Sequence, residues 1–254
     1  MERERMKKFL LGASTLVAVV SITPASAADL AARPYTKAPP MMAPIYDWSG
    51  FYIGANGGWG NQRNCFTSIA PAGLLGAEGC HDADGGVAGG QIGYRWQSAA
   101  WVFGLEAQGN WADLRGSNES LLFPGFTNRS QMDAFGLFTG QVGWAWNNTL
   151  LYVKGGAAVT DTRHDIIDDA TGLVAGRSGD DTRWGAVVGA GLEFGFAPNW
   201  SAGVEYDHIF MGDRNATFTD NTGAFFGADR ISGDTDLVTV RVNYRWGGPM
   251  IGRY

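Results

Sequence analysis

The chain has 254 residues and a formal net charge of −6, with 38 glycines and 10 tryptophans. Only 17% of the residues are charged, whereas a soluble domain normally carries about a quarter of its residues as Asp, Glu, Lys and Arg. This composition argues against an ordinary soluble domain. The acidic balance also gives no reason to expect a nucleic-acid partner.

The first 27 residues have the pattern of a secretory signal peptide. Four basic residues lie within the first eight positions, an uncharged run covers residues 9–22, and Ala25-Ser26-Ala27 forms a small-residue cleavage site. The run is shorter than the roughly 20 apolar residues of a spanning helix. We therefore expect export, a Pro-rich periplasmic arm over residues 28–47, and a folded domain over residues 48–254. Without residues 1–27 the chain keeps 15 basic and 23 acidic residues, a charge of −8.

The folded domain shows repeated segments in which every second residue is apolar or aromatic. Alternation with a period of two predicts strands, and about 9–11 residues is the length that crosses a bilayer at a tilt. No other segment is apolar enough for a bilayer helix, so a membrane domain would have to be a closed barrel. The sequence predicts an eight-stranded antiparallel up-and-down transmembrane β-barrel. Its strands would cover residues 48–61, 85–96, 101–111, 132–146, 150–162, 182–196, 200–208 and 236–246.

The connections between these segments alternate in length. Four long ones cover residues 62–84, 112–131, 163–181 and 212–235, and three short ones cover 97–100, 147–149 and 197–199. Outer-membrane barrels place long loops outside and tight turns in the periplasm. The long connections carry 14 acidic and seven basic residues, so we expect structureless, acidic loops at the cell surface.

Three motifs resemble those of a known family. Residues 27–55 read AADLAARPYTKAPPMMAPIYDWSGFYIGA, residues 150–159 read LLYVKGGAAV, and residues 240–246 read VRVNYRW. The chain resembles the small outer-membrane immunogenic and porin-like proteins of alphaproteobacteria. This resemblance implies a Gram-negative outer membrane, with outer-membrane lipid and lipopolysaccharide around the barrel. It also implies a barrel-assembly machinery that reads a terminal aromatic residue, either Trp246 or Tyr254.

The two cysteines, Cys65 and Cys80, fall in the first long connection. In an exported chain, two thiols in one loop favour a disulfide over a metal or redox site. We expect a Cys65–Cys80 bridge that tethers this loop.

The face opposite the apolar one would line the lumen, and it carries four basic and four acidic residues. An eight-stranded barrel is just wide enough for its side chains to fill, and buried charges must be paired. The sequence therefore predicts a packed, mutually neutralising lumen, with Lys154–Glu193 and Glu205–Arg241 as contacts. The predicted network consists of Arg95, Lys154, Arg241, Arg245, Glu106, Glu193, Glu205 and Asp207.

Histidines and acidic residues are the remaining candidates for chemistry. His81, His164 and His208 could be imagined in a hydrolytic triad, but no nucleophile stands at a recognisable motif. The acidic run over residues 165–169 lacks the ligand spacing of a calcium loop. We expect no catalytic, cofactor-binding or metal-binding residues, no cofactor and no enzyme activity.

The leading functional hypothesis is a structural surface protein that supports the outer membrane and displays its loops. A small porin, or a receptor for a ligand such as haem, is the alternative that the resemblance implies. A soluble ligand-binding barrel would need a charge-rich exterior, which the alternation does not provide. The sequence does not specify the oligomeric state.

Overall fold

The computed structural model describes residues 46–70, 76–178, 181–220 and 222–246. The predicted signal peptide, most of the arm over residues 28–47, and Tyr254 lie outside these residues. Within the described ranges there is no helix that is long and apolar enough to span a membrane. The described secondary structure consists of strands β1 (Gly50–Ala70), β2 (Gly76–Ser98), β3 (Trp101–Glu119), β4 (Phe126–Trp146), β5 (Thr149–Asp168), β6 (Leu173–Arg177), β7 (Asp181–Ala197), β8 (Trp200–Phe210), β9 (Arg214–Thr219), β10 (Phe225–Ser232) and β11 (Thr235–Trp246).

Eight of these strands form a closed ring. Strands β1 to β5 pair in succession, followed by β7, β8 and β11, and β11 pairs with β1. All pairings are antiparallel, which confirms the predicted all-β architecture. The strand count differs from the prediction, because β6, β9 and β10 add to the rim beside β5 and β1.

The predicted long loops are largely strand. Strands β1 to β5 extend six to nine residues beyond their predicted ends. The extensions alternate polar residues outside with polar or apolar residues inside, so an apolar alternation does not reveal them. We call this part the crown; it comprises residues 61–70, 76–84, 113–119, 126–133 and 161–168 together with β6, β9 and β10.

The opposite end of the ring, the base, has two-residue turns between paired strands. Ala99 has a φ of 54° and Asn147 has a φ of 52°. A left-handed conformation is common for Asn and costly for Ala. The turn at Ala99 is therefore strained, and the pairing of β2 with β3 holds it in this conformation.

The outer face of the ring is apolar, as the alternation predicts. Large side chains such as Phe51 and Leu105 are more than 60% exposed, which a soluble surface rarely shows over a continuous band. Aromatic residues border this band on both sides, as at membrane interfaces. On the crown side they are Trp59, Trp111 and Trp184, and on the base side they are Trp96, Trp101, Trp144, Trp146, Trp200 and Trp246.

Candidate functional site

The lumen holds a ring of buried charges, which we call the belt. None of its members is more than 5% exposed, and each lies on the inward phase of its strand. The belt consists of Arg95, Glu106, Lys154, Glu193, Glu205, Asp207 and Arg241.

The larger half of the belt is centred on two cations. Arg241 donates hydrogen bonds to Glu106 and to Glu205. Lys154 Nζ lies 2.7 Å from Glu205 Oε1 and 3.1 Å from Asp207 Oδ1. It also lies 3.7 Å from Glu106 Oε1. The predicted contact between Glu205 and Arg241 is therefore present, as part of a cluster rather than as an isolated pair.

The predicted contact between Lys154 and Glu193 is wrong. Lys154 stands opposite Gly189, which in turn stands opposite Asp207. A Cβ at Gly189 would lie 2.1 Å from Asp207 Oδ1. Because Gly189 has no side chain, Lys154 reaches across β7 to Asp207. Glu193 is paired with Leu150, four residues closer to the base.

Glu193 instead forms the second half of the belt with Arg95. Arg95 Nη2 lies 2.9 Å from Glu193 Oε2, and the Asn243 amide donates to Glu193 Oε1 at 2.9 Å. The Arg95 guanidinium lies over the Tyr52 ring, 4.5 Å from its centroid, which is a cation–π geometry. Tyr52 also donates its hydroxyl to Glu106 at 2.6 Å. Tyr52 thus joins the two halves of the belt, through its ring on one side and its hydroxyl on the other.

Arg245 does not belong to the belt. It donates to the carbonyl oxygens of Ser49 at 2.8 Å and Pro198 at 3.2 Å, and its guanidinium lies 5.1 Å from the Tyr46 ring centroid. It therefore braces the base. Without Arg245, the belt has three cations for four carboxyl groups, not the predicted four and four.

Trp48 fills the base of the lumen. Its side chain is almost completely buried against Val102, Ala145, Leu150 and Tyr152. Its backbone N–H donates to Gln97 Oε1 at 2.8 Å, which fixes the segment before β1 to the end of β2. The sequence predicted that Trp48 begins the first strand; that strand begins at Gly50, and Trp48 packs inside the base of the ring.

An apolar layer lies on the crown side of the belt, and we call it the apolar plug. It receives side chains from seven of the eight ring strands, and its larger members are at most 4% exposed. The remaining ring strand, β1, also packs against this layer, because a Cβ at its Gly60 would lie 2.8 Å from Leu237. The largest side chains of the plug are Leu114, Met132, Phe135, Leu137, Ile209, Met211 and Leu237.

The structure joins Cys65 and Cys80 in a disulfide bond, with a Cα–Cα distance of 4.1 Å. The two residues are directly opposite each other on β1 and β2. The bond therefore links paired strands of the crown, whereas the sequence led us to expect a tether across an open loop.

The interior of the crown contains two of the three histidines. His164 Nδ1 lies 3.0 Å from the Ser130 hydroxyl, and both residues are almost completely buried. Burial lowers the pKa of His164 to about 3, with further lowering from the nearby Arg214, Arg183 and His81. His164 is therefore neutral at physiological pH.

His81 occupies the same interior. Its ring stacks on Phe66, with 5.5 Å between the centroids, and its Nδ1 lies 2.7 Å from Asn118 Oδ1. Burial also lowers the pKa of His81. His208 lies apart from both, with Nδ1 2.7 Å from Asp236 Oδ1. The three histidines thus do not come together, and the Ser130–His164 contact was not visible from the sequence because the two residues are 34 positions apart.

A second buried group in the crown is acidic. Glu78 and Asp229 are each 3% exposed, and they flank the same stretch of β1: Asp229 of β10 pairs with Ser68, and Glu78 of β2 lies between the partners of Phe66 and Thr67. Burial, followed by the charge of Glu78, raises the pKa of Asp229 above its usual range. The sequence does not reveal this pair, because the two residues are far apart in the chain.

The acidic run over residues 165–169 is structural. Asp165 forms an ion pair with Arg177 at 2.9 Å, Asp168 accepts the backbone N–H of Ala170 at 2.9 Å, and the Thr127 hydroxyl donates to Asp169. Among the described residues, no group of three or more His, Cys, Asp or Glu side chains could hold a metal ion.

The outer wall of the crown carries a shallow groove next to the apolar band. It is lined by Arg115, Arg129, Ser117 and Gln131. Arg115 lies 2.7 Å from the exposed Asp113. Among the described residues, no carboxylate lies within ion-pair distance of Arg129. The groove therefore offers one guanidinium that is free to bind an anion.

Comparison with known proteins places these features in a family. Residues 14–246 match the family model of the outer membrane protein beta-barrel domain. The 31 kDa outer-membrane immunogenic protein of Brucella melitensis is 29% identical over 253 residues, which cover 95% of this chain and 100% of that protein. The 25 kDa outer-membrane immunogenic protein of Brucella abortus is 25% identical over 240 residues, covering 92% and 98%.

Two solved structures share the fold. The outer membrane protein OprG of Pseudomonas aeruginosa superposes with a TM-score of 0.56 at 12% identity, covering 80% of this chain and 100% of that chain. The outer membrane protease OmpT of Escherichia coli has a TM-score of 0.51 at 10% identity, covering 81% and 99%. At such low identity these matches show the fold alone. The apolar outer band, the closed strand ring and the family match together establish that this chain is a Gram-negative outer-membrane protein and belongs to the outer membrane protein beta-barrel domain family.

Proposed function

We propose that the chain is a non-conducting transmembrane barrel, closed by the eight ring strands, that supports outer-membrane integrity and displays a folded crown at the cell surface. The observation that carries this proposal is the apolar plug. Leu114, Leu137 and Leu237 come from three different strands and are almost completely buried in one layer of the lumen. An ion that crossed this layer would lose its hydration without gaining a partner, which is strongly unfavourable.

The belt supports the same conclusion. Every cation in the belt contacts at least one carboxylate, so its charges are engaged with each other rather than with a column of water. An eight-stranded barrel leaves little interior volume beyond its own side chains. The porin and haem-receptor hypotheses remain predictions from the sequence.

Lipopolysaccharide is the proposed partner of the outer wall. The long connections of such barrels lie outside the cell, so the Arg115–Arg129 groove would stand directly above the hydrocarbon of the outer leaflet. Arg115 and Arg129 are diagonal neighbours on β3 and β4, about 7–8 Å apart between their Cα atoms. Guanidinium groups bind phosphate strongly, and lipopolysaccharide carries phosphates at this depth.

This contact can be tested by measuring the lipopolysaccharide that copurifies with the protein. Replacing both Arg115 and Arg129 with Ala should lower the lipopolysaccharide phosphate that copurifies with the folded protein. Replacing Arg63 and Arg230, two exposed crown arginines outside the groove, should change it little. Equal losses in both double variants would show that the groove has no special role.

The integrity role is tested in cells that lack the chain. These cells should become more sensitive to detergent and to large antibiotics, and the wild-type chain should restore resistance. The Val188→Arg variant, which places a charge on the lipid-facing wall, should restore less than the crown-surface variant Asp82→Asn. Normal integrity together with a loss of small-solute uptake would instead favour the porin hypothesis.

A further inference from the structure

Within the described ranges, the Glu78–Asp229 pair of the crown lacks a counter-charge. Among the described residues, no arginine, lysine or histidine lies within ion-pair distance of either carboxyl group. Two buried carboxylates that face each other repel, and burial strengthens that repulsion. The pair therefore requires something positive from solution when both groups are ionised.

The surroundings of the pair supply further oxygen ligands. Asn128 is 1% exposed and donates its amide nitrogen to Glu78 Oε2 at 3.0 Å, while its Oδ1 has no hydrogen-bond partner. Asp229 Oδ2 also has no partner. A buried acceptor without a partner costs free energy. One unsatisfied oxygen thus belongs to the carboxyl pair, and a second belongs to the amide that contacts the pair.

The backbone directs Glu78 into this position. The pairing of β1 with β2 shifts register between Phe66 and Thr67, and Glu78 is the unpaired residue at that bulge. Bulges turn a side chain out of the regular alternation and are frequent beside functional sites. The Ser120 hydroxyl donates to Glu78 Oε2 at 3.0 Å, which holds the carboxylate in place.

We infer that the crown binds one Ca²⁺ ion between Glu78, Asp229 and Asn128. Ca²⁺ takes 6–8 oxygen ligands in flexible geometry, and waters commonly complete its shell. Two carboxylates and an amide oxygen suit it better than Mg²⁺, which requires near-ideal octahedral geometry. The three ligands belong to β2, β10 and β4, so the ion clamps the short strand β10 against two strands of the ring.

Calcium titration of the full refolded chain in detergent micelles tests this site. After treatment with EDTA, isothermal titration with CaCl2 should give one bound ion per chain, and CaCl2 should raise the melting temperature of the crown. The Asp229→Asn variant should bind Ca²⁺ about tenfold or more weakly, because one ligand charge is lost. The control variant Asp82→Asn removes the same charge from an exposed position on β2 and should bind as the wild type does.

A shared proton is the competing explanation, and the same experiment separates the two. If a proton alone neutralises the pair, Asp229→Asn should stabilise the crown and CaCl2 should do nothing to the wild type, which would overturn the calcium site. If Asp229→Asn does not fold, Glu78→Gln serves in its place. Titration of the wild type is decisive by itself, because a wild-type chain that binds no Ca²⁺ would contradict the inference.

Discussion

The belt buries its carboxyl groups next to cations, whereas the Glu78–Asp229 pair of the crown is buried without them. In the belt, Arg241 and Lys154 contact the acidic groups directly, so cations of the chain itself lie beside these carboxyl groups. In the crown, Glu78 and Asp229 have no such cation among the described residues, and Asp229 Oδ2 is buried without a hydrogen-bond partner. The difference separates a belt whose carboxyl groups contact cations of the same chain from a crown pair that needs a proton or a cation from solution.

The two regions also differ on their outer faces. The wall around the belt carries apolar residues such as Val188 and Val240, each at least half exposed. The crown carries exposed charged residues such as Arg63 and Asp82. The outer face of the barrel thus passes from lipid to water along the strands. A similar substitution should therefore change stability by different amounts in the two regions.

The largest effect is expected in the belt. Glu205→Ala and Arg241→Ala should each lower the free energy of unfolding in vesicles by about 3–5 kcal/mol, because each leaves an uncompensated buried charge. The double variant should cost much less than the sum. As a control, the exposed pair Asp113 and Arg115 should show a coupling of at most about 1 kcal/mol. Strictly additive effects in the belt would mean that its charges do not act on one another.

A charge on the lipid-facing wall should lower the free energy of unfolding less than the belt variants do, but more than a charge on the outer face of the crown. Val188→Arg places a guanidinium in the middle of the apolar band and should lower stability in bilayers by about 2–4 kcal/mol. Thr217→Arg on the exposed face of β9 should change stability by less than about 0.5 kcal/mol. Urea unfolding in lipid vesicles measures both. Similar costs for the two variants would show that the faces have been assigned incorrectly.

Acid should weaken the crown through His164. Its folded pKa of about 3 lies below the ordinary value of about 6.5, so the unfolded chain binds a proton first as the pH falls. The contribution of His164 to the free energy of unfolding should therefore be fully present above pH 6.5 and be lost below it, by roughly 2 kcal/mol at pH 5. The His164→Gln variant should lose this part of the pH dependence. An identical pH profile in the variant would exclude His164 as its source.

The smallest effect concerns the base, where the turns are tight. Ala99→Gly should raise stability by about 1 kcal/mol, because glycine adopts the left-handed conformation without strain. Asn147→Gly should raise it less, since Asn tolerates that conformation. Unfolding midpoints in the same vesicles compare the two. A loss of stability at Ala99→Gly would show that the turn is not strained.

The ring strands were predictable because lipid imposes a strict rule on one face. Leu105 and Val240 must face hydrocarbon while Glu106 and Arg241 face the lumen, so the alternation is visible in the sequence. Depth along the strands was predictable only approximately. The error at Lys154 arose because the residue opposite it is Gly189, and a missing side chain lets a lysine reach one strand further.

The crown could not be predicted in the same way. Its outer face meets water, so residues such as Arg63 and Thr67 alternate with Asn64 and Phe66 without an apolar rhythm. The pairing of Glu78 with Asp229, and of Ser130 with His164, depends on the register of strands that are distant in sequence. Local patterns contain no information about such contacts.

Single-channel recording tests the sealed lumen most directly. The refolded wild-type chain in a planar bilayer should show no steady ion conductance, because the plug and Trp48 both block the lumen. A variant that combines Glu205→Ala and Arg241→Ala with Leu114→Ala, Leu137→Ala and Leu237→Ala should show openings if it folds. A large, steady conductance from the wild type would contradict the sealed lumen, and the belt would then line an open channel.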